Sequence, residues 1–270
     1  MRINGKEITF GADPEIFVGE NGVFKNAHGL VPGSKSEPHP VDAGAIQVDG
    51  MALEFNINPA SNYPEFQKNL DTVTGLLKGL IDDKEFLEVS SVHFDQEFLE
   101  TAPFASLVMG CEPDYNAYTM DTNMPPNMED LMRTAGGHVH VGGIFEDDMD
   151  EDERFDMSAR LSRLIDQYCG VYSVLWDDDD DRRHMYGAAG SFRVKPYGME
   201  YRTLSNRWLF NKSITSFVFY AIQSAVYALF AGKDSDSELY REIIDTSDRG
   251  NSFFNNNPTS DLVIRYMGDK

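Results

Sequence analysis

Cysteine, positive charge and long apolar runs are all scarce in this sequence. Two cysteines, Cys111 and Cys169, occur among 270 residues, which excludes a disulfide framework and favours a reducing compartment. Lys and Arg number 23 against 45 Asp and Glu, and the formal net charge is −22 at pH 7. Because non-specific binding to nucleic acid needs a basic stripe, we expect neither nucleic acid nor an anionic membrane surface as a partner.

The chain also lacks a recognisable export signal, since no apolar stretch follows the N-terminus "MRINGKEITFGADPE". One uncharged run, "ITSFVFYAIQSAVYALFAG" from Ile214, is about long enough to cross a bilayer. It contains Thr215, Ser216, Gln223 and Ser224 and has no second segment like it, which favours a buried core helix over a membrane span. We therefore predict a cytoplasmic protein.

The order of predicted elements indicates one α+β domain over residues 1–270. Strand patterns occupy most of the first sixty residues and recur at 136–143 and 191–205, whereas helical patterns cover 64–81, 151–176, 208–231 and 237–244. The "GAD" of "GADPE" is expected to be a turn between two short strands, and residues 177–190 a loop whose acidic run, 177–181, is solvated. Because the elements do not alternate as βα units, the sheet should be mainly antiparallel.

Polar residues alternate with apolar ones on several predicted strands. Residues i and i+2 of a strand share a face, so each such pair looks into one space. The pairs are Asp13 with Glu15, Gln47 with Asp49, Glu54 with Asn56, His138 with His140, Arg193 with Lys195, and Glu200 with Arg202. Any single pair could be a solvated face, and His138 alone could be a core histidine. Their accumulation favours one polar inner face of the sheet.

Carboxylates gathered on such a face repel one another and raise each other's pKa. Protons or metal ions must resolve that repulsion. A mostly carboxylate shell with an imidazole suits Mg²⁺ or Mn²⁺ better than zinc. The Arg and Lys side chains of the same face need anionic company, which phosphate oxygens supply. Since neither GxxxxGK[ST] nor G-x-G-x-x-G occurs, a nucleotide would be held through metals and side chains.

Five motifs occur in a recognisable order: "GADPEIF", "VDGMALEFNINPA", "GGHVHVGG", "RHMYGAAGSFR" and "KPYGMEYRTLSNRW". The series resembles the phage-encoded carboxylate–amine ligases of the glutamine synthetase and glutamate–cysteine ligase superfamily, from about Gly11 to Trp208. The resemblance implies a curved, mainly antiparallel sheet like the glutamine synthetase catalytic domain, with helices on its convex face. ATP and Mg²⁺ or Mn²⁺ would lie in the concave face. A phage-encoded enzyme would work in the host cytoplasm.

The resemblance also implies roles for individual residues. One metal, near the transferring phosphate, would be held by Asp13, His138 and Glu200. A second, nearer the acyl group, would be held by Glu15 and Glu54 with Asp49. Arg183 and Arg193 resemble the cations that meet the phosphates of ATP and the acyl phosphate. Arg202 matches the E-x-R pair of the family and is a third candidate catalytic residue. His140 and Lys195 are further candidates for contact with ATP, although His140 could instead support a neighbouring ligand.

The implied reaction has two steps. ATP phosphorylates a substrate carboxylate to an acyl phosphate, and a bound amine then attacks to give an amide, ADP and phosphate. The substrates would be a small-molecule or peptide carboxylate and an amine, and the oligomeric state is left open. Two alternatives stay open: a metal-dependent hydrolase that uses the same face, and a non-catalytic phage structural protein on an inherited ligase fold.

Overall fold

A computed structural model describes residues 1–107, 114–123, 131–235 and 237–268. Cys111, one of the two cysteines, lies outside these residues. The described chain combines a large antiparallel sheet with helices, which confirms the mixed α/β composition predicted from the sequence. Three helices, Tyr63–Leu80, Glu151–Ile165 and Lys212–Phe230, supply much of the apolar core that packs against one face of the sheet.

The strands are short except for the one that carries the first motif. They are β1 (Arg2–Ile3), β2 (Lys6–Glu7), β3 (Thr9–Glu20), β4 (Val23–Lys25), β5 (His39–Val41), β6 (Gly44–Asp49), β7 (Ala52–Ile57), β8 (Glu85–Leu87), β9 (Ser91–His93), β10 (Tyr115–Asn116), β11 (Met132–Thr134), β12 (Gly137–Gly142), β13 (Ser191–Lys195) and β14 (Gly198–Tyr201). In the main sheet the hydrogen-bonded order is β10-β13-β14-β12-β3-β7-β6-β5, and β4 and β8 pair with the end of β3. All these pairings are antiparallel.

The helices begin at polar caps in most cases. They are α1 (Tyr63–Leu80), α2 (Gln96–Thr101), α3 (Phe104–Leu107), α4 (Glu151–Ile165), α5 (Val171–Trp176), α6 (Asp180–Met185), α7 (Lys212–Phe230), α8 (Glu238–Thr246) and α9 (Pro258–Gly268). A π-helical turn, Asp166–Gly170, joins α4 to α5, so the predicted helix at 151–176 is continuous. At its start, Asp150 and Glu153 form a reciprocal capping box.

The predicted turn at "GADPE" is wrong, because β3 runs unbroken from Thr9 to Glu20 through Pro14. Proline cannot donate to a ladder and is tolerated where a strand changes its partner. Pro14 is the last residue that pairs with β12, opposite Gly137, and Glu15 begins the pairing with β7. The first motif is therefore one long strand that contacts two different neighbours.

Residues of β3 alternate between the helical core and the opposite face. Phe10, Ala12 and Ile16 are at most 1% exposed in the core, and the ring of Phe10 lies 4.8 Å from that of Phe219 on α7. By length and composition α7 could span a membrane, yet half of its apolar window is buried. Its buried residues pack into the sheet-facing core, as the prediction of a core helix requires.

Four helices were not predicted from the sequence. Helices α2 and α3 lie between the first two predicted helical segments, α6 lies inside the segment expected to be a loop, and α9 follows the last predicted helix. Asp177 of that expected loop is fully buried and accepts a hydrogen bond from Ser90 at 3.1 Å. The prediction of a solvated acidic run is therefore wrong at Asp177, which serves as a buried anchor.

Candidate active site

Strand register brings the predicted polar pairs onto one face of the sheet. Asp13 lies directly opposite His138, and His140 lies opposite both Gly11 and Glu200. On the other side of β3, Glu15 is opposite Glu54. Because residues directly opposite one another in antiparallel strands point to the same face, residues from four distant sequence motifs meet here.

A first cluster consists of Asp13, His140 and Glu200, which we call cluster A. One ligand atom of each lies within 4.8 Å of the others, and His140 Nε2 is 3.0 Å from Asp13 Oδ1. Burial lowers the pKa of His140, but the charge and hydrogen bond of Asp13, together with the charge of Glu200, outweigh burial and the net shift is upward. Burial raises the pKa of the Asp13 carboxyl, yet the two imidazoles bring it well below its usual value.

His138 lies beside cluster A. Its Nδ1 is 3.5 Å from Asp13 Oδ1 and 3.4 Å from Glu200 Oε1. Burial and the nearby Arg202 guanidinium lower the pKa of His138 to about 3, so its imidazole is neutral and can offer a lone pair to a cation. The structure thus brings both histidines to the two carboxylates, and His140 takes the place in cluster A that the family resemblance implied for His138.

A second cluster consists of Glu15, Asp49 and Glu54, called cluster B, and its ligand atoms also lie within 4.8 Å of one another. The Gly136 N–H donates to Glu15 Oε2 at 2.6 Å, and Gln47 Nε2 donates to Glu54 Oε2 at 2.6 Å. Burial and the Asp49 charge raise the pKa of Glu15 to about 7. Burial and the neighbouring carboxylates raise that of Glu54 well above its usual value. The Lys35 ammonium, 2.5 Å from Asp49 Oδ2, is the nearest compensating charge.

Three of the predicted cations converge on Glu200, which is fully buried. Lys195 Nζ lies 3.0 Å and Arg193 Nη1 3.4 Å from Glu200 Oε2, and Arg202 contacts the other oxygen. Arg202 also donates through Nε to Asp114 at 2.9 Å. The cationic half of the predicted face is therefore assembled around the same carboxylate that belongs to cluster A.

The structure does not bring Arg183 to this face. Its guanidinium is buried 3.6 Å from Asp177 Oδ2 and donates a hydrogen bond to Ser173 Oγ of α5 at 2.9 Å. The neighbouring Arg182 points the other way and donates to the Thr203 and Leu204 carbonyls at 3.0 and 2.9 Å. Because successive residues of a helix diverge by about 100°, α6 can direct only one of the two toward the sheet.

Two cavities adjoin the clusters. The larger, about 480 Å³, is lined by Asp13, His140 and Glu54 together with Gly11, Asn56 and Tyr197. The smaller, about 80 Å³, is lined by Glu15, Asp49, Lys35, Arg133, Arg202 and Tyr186. Tyr186, Tyr197 and Arg133 were not singled out in the sequence. Tyr186 and Tyr197 lie inside recognised motifs, which was the available signal, whereas Arg133 offered none.

The donor sets fit hard divalent cations. Cluster B offers only carboxylate oxygens, which suits Mg²⁺, and cluster A adds imidazole nitrogen, which Mn²⁺ also accepts. Burial and the neighbouring carboxylates raise the pKa values of Glu15 and Glu54, and a bound cation would favour their ionised forms. The two clusters could therefore hold metal ions beside a ligand-sized cavity.

A comparison with protein families matches one part of the chain. Residues 131–243 match the family described as phage phiEco32-like COOH-NH2 ligase-type 2. The match confirms the resemblance to phage carboxylate–amine ligases that the motifs indicated. It includes His138, His140, Arg193, Glu200 and Arg202, whereas the acids of β3 and β7 precede it. No curated protein matches the chain.

The raised pKa of Glu15 predicts a pH-dependent stability of the metal-free protein. A folded-state pKa of about 7 against an ordinary 4.5 means that the folded state holds this proton more tightly. The free energy of unfolding should therefore fall as pH rises through that interval, by about 3 kcal/mol at most from Glu15.

Urea unfolding of chelator-treated wild type and Glu15→Gln at pH 5 and pH 8 measures this effect. The variant should gain stability relative to wild type by up to about 3 kcal/mol between the two pH values. Because Asp166 also titrates near 7 but is present in both proteins, it cancels. If the free energy of unfolding changed with pH in the same way in both proteins, the raised pKa of Glu15 would be refuted.

Proposed function

We propose that this protein is an ATP-dependent carboxylate–amine ligase that forms an amide bond through an acyl phosphate. The observation that supports this proposal most strongly is that clusters A and B lie next to each other on one sheet face, with the 480 Å³ cavity beside both. The ligase name of the matched family supports the reaction class. A glutamine synthetase-like placement of the fold, with a curved sheet, belongs to the same proposal.

The sizes of the two cavities suggest which substrate each accepts. Ligand pockets for molecules of nucleotide size have volumes of roughly 300–1,000 Å³, so the 480 Å³ cavity has room for ATP. The 80 Å³ cavity has room for a small polar group, such as the end of the carboxylate substrate. Cluster B contributes to the lining of both cavities and cluster A to that of the larger one, so a phosphoryl group would pass from one substrate to the other beside cluster B.

Divalent ions at the two clusters would bridge phosphate oxygens and neutralise their charge. Asp13, His140 and Glu200 would hold one ion, with His138 beside it, and Glu15, Asp49 and Glu54 the other. The chain itself supplies the remaining positive charge. Arg193, Lys195 and Arg202, which now converge on Glu200, would share that charge with phosphate oxygens when the nucleotide is bound.

The proposed reaction defines the chemical class of the two substrates. The substrates we propose are a small-molecule or peptide carboxylate and an amine, used in the cytoplasm of the phage host. Neither nucleic acid nor a membrane is part of the proposal, and the strongly acidic charge of −22 accords with that. The experiment therefore uses a panel of carboxylates and a substitute for the natural amine.

Hydroxylamine tests the reaction without the natural amine, because it traps acyl phosphates as coloured hydroxamates. Purified protein is incubated with ATP, Mg²⁺, hydroxylamine and a panel of carboxylates that includes amino acids and cell-wall peptides. We expect ATP-dependent hydroxamate and equimolar phosphate with at least one carboxylate. The matched control omits Mg²⁺ and adds a chelator.

The alternatives give different results in the same assay. A metal-dependent hydrolase would cleave substrates without ATP and produce no ATP-dependent hydroxamate. A structural protein would neither turn over ATP nor bind a non-hydrolysable ATP analogue in the presence of Mg²⁺. Absence of analogue binding, measured by calorimetry at millimolar Mg²⁺, would contradict the proposed function regardless of which carboxylates the panel contains.

A further inference from the structure

Tyr197 occupies a fixed place at the turn between β13 and β14. The Gly143 N–H donates to the Tyr197 carbonyl at 2.8 Å, which ties the turn to the end of β12. The next residue, Gly198, has φ 155°, and a Cβ there would lie 2.0 Å from the Val141 carbonyl oxygen. Only glycine fits so close to β12. The backbone that carries Tyr197 is therefore held against the strand that carries His140.

The side chain of Tyr197 reaches across this turn to cluster A. Its hydroxyl lies 2.5 Å from His140 Nδ1, and the two ring centroids are 5.9 Å apart. A Cβ at Gly142 would lie 3.8 Å from Tyr197 Cδ2, so the ring rests over a position that has no side chain. Although half of the Tyr197 surface is exposed, its hydroxyl is directed at the imidazole.

The two nitrogens of His140 thereby have separate partners. Nδ1 meets the Tyr197 hydroxyl, and Nε2 lies 3.0 Å from Asp13 Oδ1 inside cluster A. An imidazole has a broad, roughly two-fold torsion about its ring bond, and a hydrogen bond to one nitrogen fixes which nitrogen faces a ligand. Gly11, opposite His140 on β3, offers no side chain that could restrain the ring from the other side.

We propose that Tyr197 is a positioning residue for cluster A: its hydroxyl holds the His140 imidazole so that Nε2 points at a divalent cation bound by Asp13 and Glu200. The proposal rests on the proposed function to the extent that cluster A binds such a cation. Tyr197 itself contacts no member of cluster B, Glu15, Asp49 or Glu54, in any hydrogen bond or ion pair of the described chain. Its effect should therefore be confined to one of two metal sites.

The test is Mn²⁺ binding to Tyr197→Phe, followed by electron paramagnetic resonance. Loss of a hydrogen-bonding partner of a metal-ligating histidine costs about 10- to 100-fold in metal affinity. We expect Mn²⁺ to bind cluster A about 10-fold more weakly, with cluster B unchanged. The sites are told apart in Glu15→Gln, which leaves cluster A intact, and Glu200→Gln, which leaves cluster B intact. The matched control is Tyr227→Phe, since Tyr227 is about as exposed as Tyr197 but lies on α7.

The hydroxyl must act through His140 if the proposal holds. In a His140→Asn background, Tyr197→Phe should produce no further loss of Mn²⁺ affinity, whereas a general structural effect would persist. Wild-type affinity at cluster A in Tyr197→Phe would overturn the positioning role and leave the proposed function standing. Equal weakening at both clusters would also overturn it. A wild-type protein that binds no Mn²⁺ at either cluster would instead contradict the proposed function together with this inference.

Discussion

Asp13→Asn is expected to lower ATP-dependent turnover by about 10³-fold or more, equivalent to about 4 kcal/mol of transition-state stabilisation. Asp13 is the carboxylate of cluster A that both imidazoles approach. An amide of the same shape offers a cation a neutral oxygen and cannot compensate its charge. Because Asp13 also lines the 480 Å³ cavity, the loss falls where phosphate and metal would meet.

Hydroxamate formation and Mn²⁺ titration together measure this variant. We expect one Mn²⁺ site fewer than in wild type, with circular dichroism unchanged. The matched control is Glu20→Gln on the same strand, since Glu20 is exposed and pairs only at the surface with Lys25 at 3.1 Å, where such pairs contribute little. Turnover of Asp13→Asn within threefold of wild type would exclude cluster A as a metal site for the reaction.

Arg183→Met is expected to lower the free energy of unfolding by about 3–5 kcal/mol, the usual result of breaking a buried ion pair. Both partners are inaccessible to solvent, with Arg183 Nη2 at 3.6 Å from Asp177 Oδ2. Removing the guanidinium leaves the Asp177 carboxylate buried with only Ser90 and the Asp179 N–H as polar partners in the described chain. The variant should nonetheless bind Mn²⁺ and the ATP analogue as wild type does, measured per folded molecule.

Arg241→Met serves as the surface control for this experiment. Arg241 on α8 lies 3.4 Å from Glu238 and 3.7 Å from Asp245, and all three side chains are partly exposed, so its loss should cost about 1 kcal/mol or less. Urea unfolding of the two variants gives the comparison. If Arg183→Met kept wild-type stability and lost nucleotide affinity, the phosphate-binding role predicted from the sequence would be right and the buried arrangement wrong.

The sequence predicted the composition of the site better than its contacts. Alternation along β12 places His138 and His140 on one face by strand geometry alone, and the same holds for Glu200 on β14 and Arg202 directly after its end. Which strand lies beside which is a long-range property that alternation does not encode. The register, with His140 opposite Glu200 and His138 opposite Asp13, brings both imidazoles to the two carboxylates of cluster A.

Two local errors have physical causes that the sequence could have revealed in part. Gly11 and Asp13 indicated a turn, but both residues and the following Pro14 lie within the continuous strand β3, and a proline is compatible with a strand where the ladder needs no donor. For α6, the order of charges was informative: Asp180 and Asp181 occupy its first turn and the basic residues its last, with Asp179 as N-cap. Even so, the choice between Arg182 and Arg183 depends on the phase of a helix only six residues long.

We propose that two divalent cations and a nucleotide bind together on the polar face of this sheet. Anomalous diffraction from crystals grown with Mn²⁺ and a non-hydrolysable ATP analogue tests it most directly. We expect one Mn²⁺ peak bonded to Asp13, His140 and Glu200 and a second at Glu15, Asp49 and Glu54. The triphosphate should lie between these ions and the 480 Å³ cavity. Mn²⁺ or nucleotide found elsewhere, with both clusters free of metal, would contradict it.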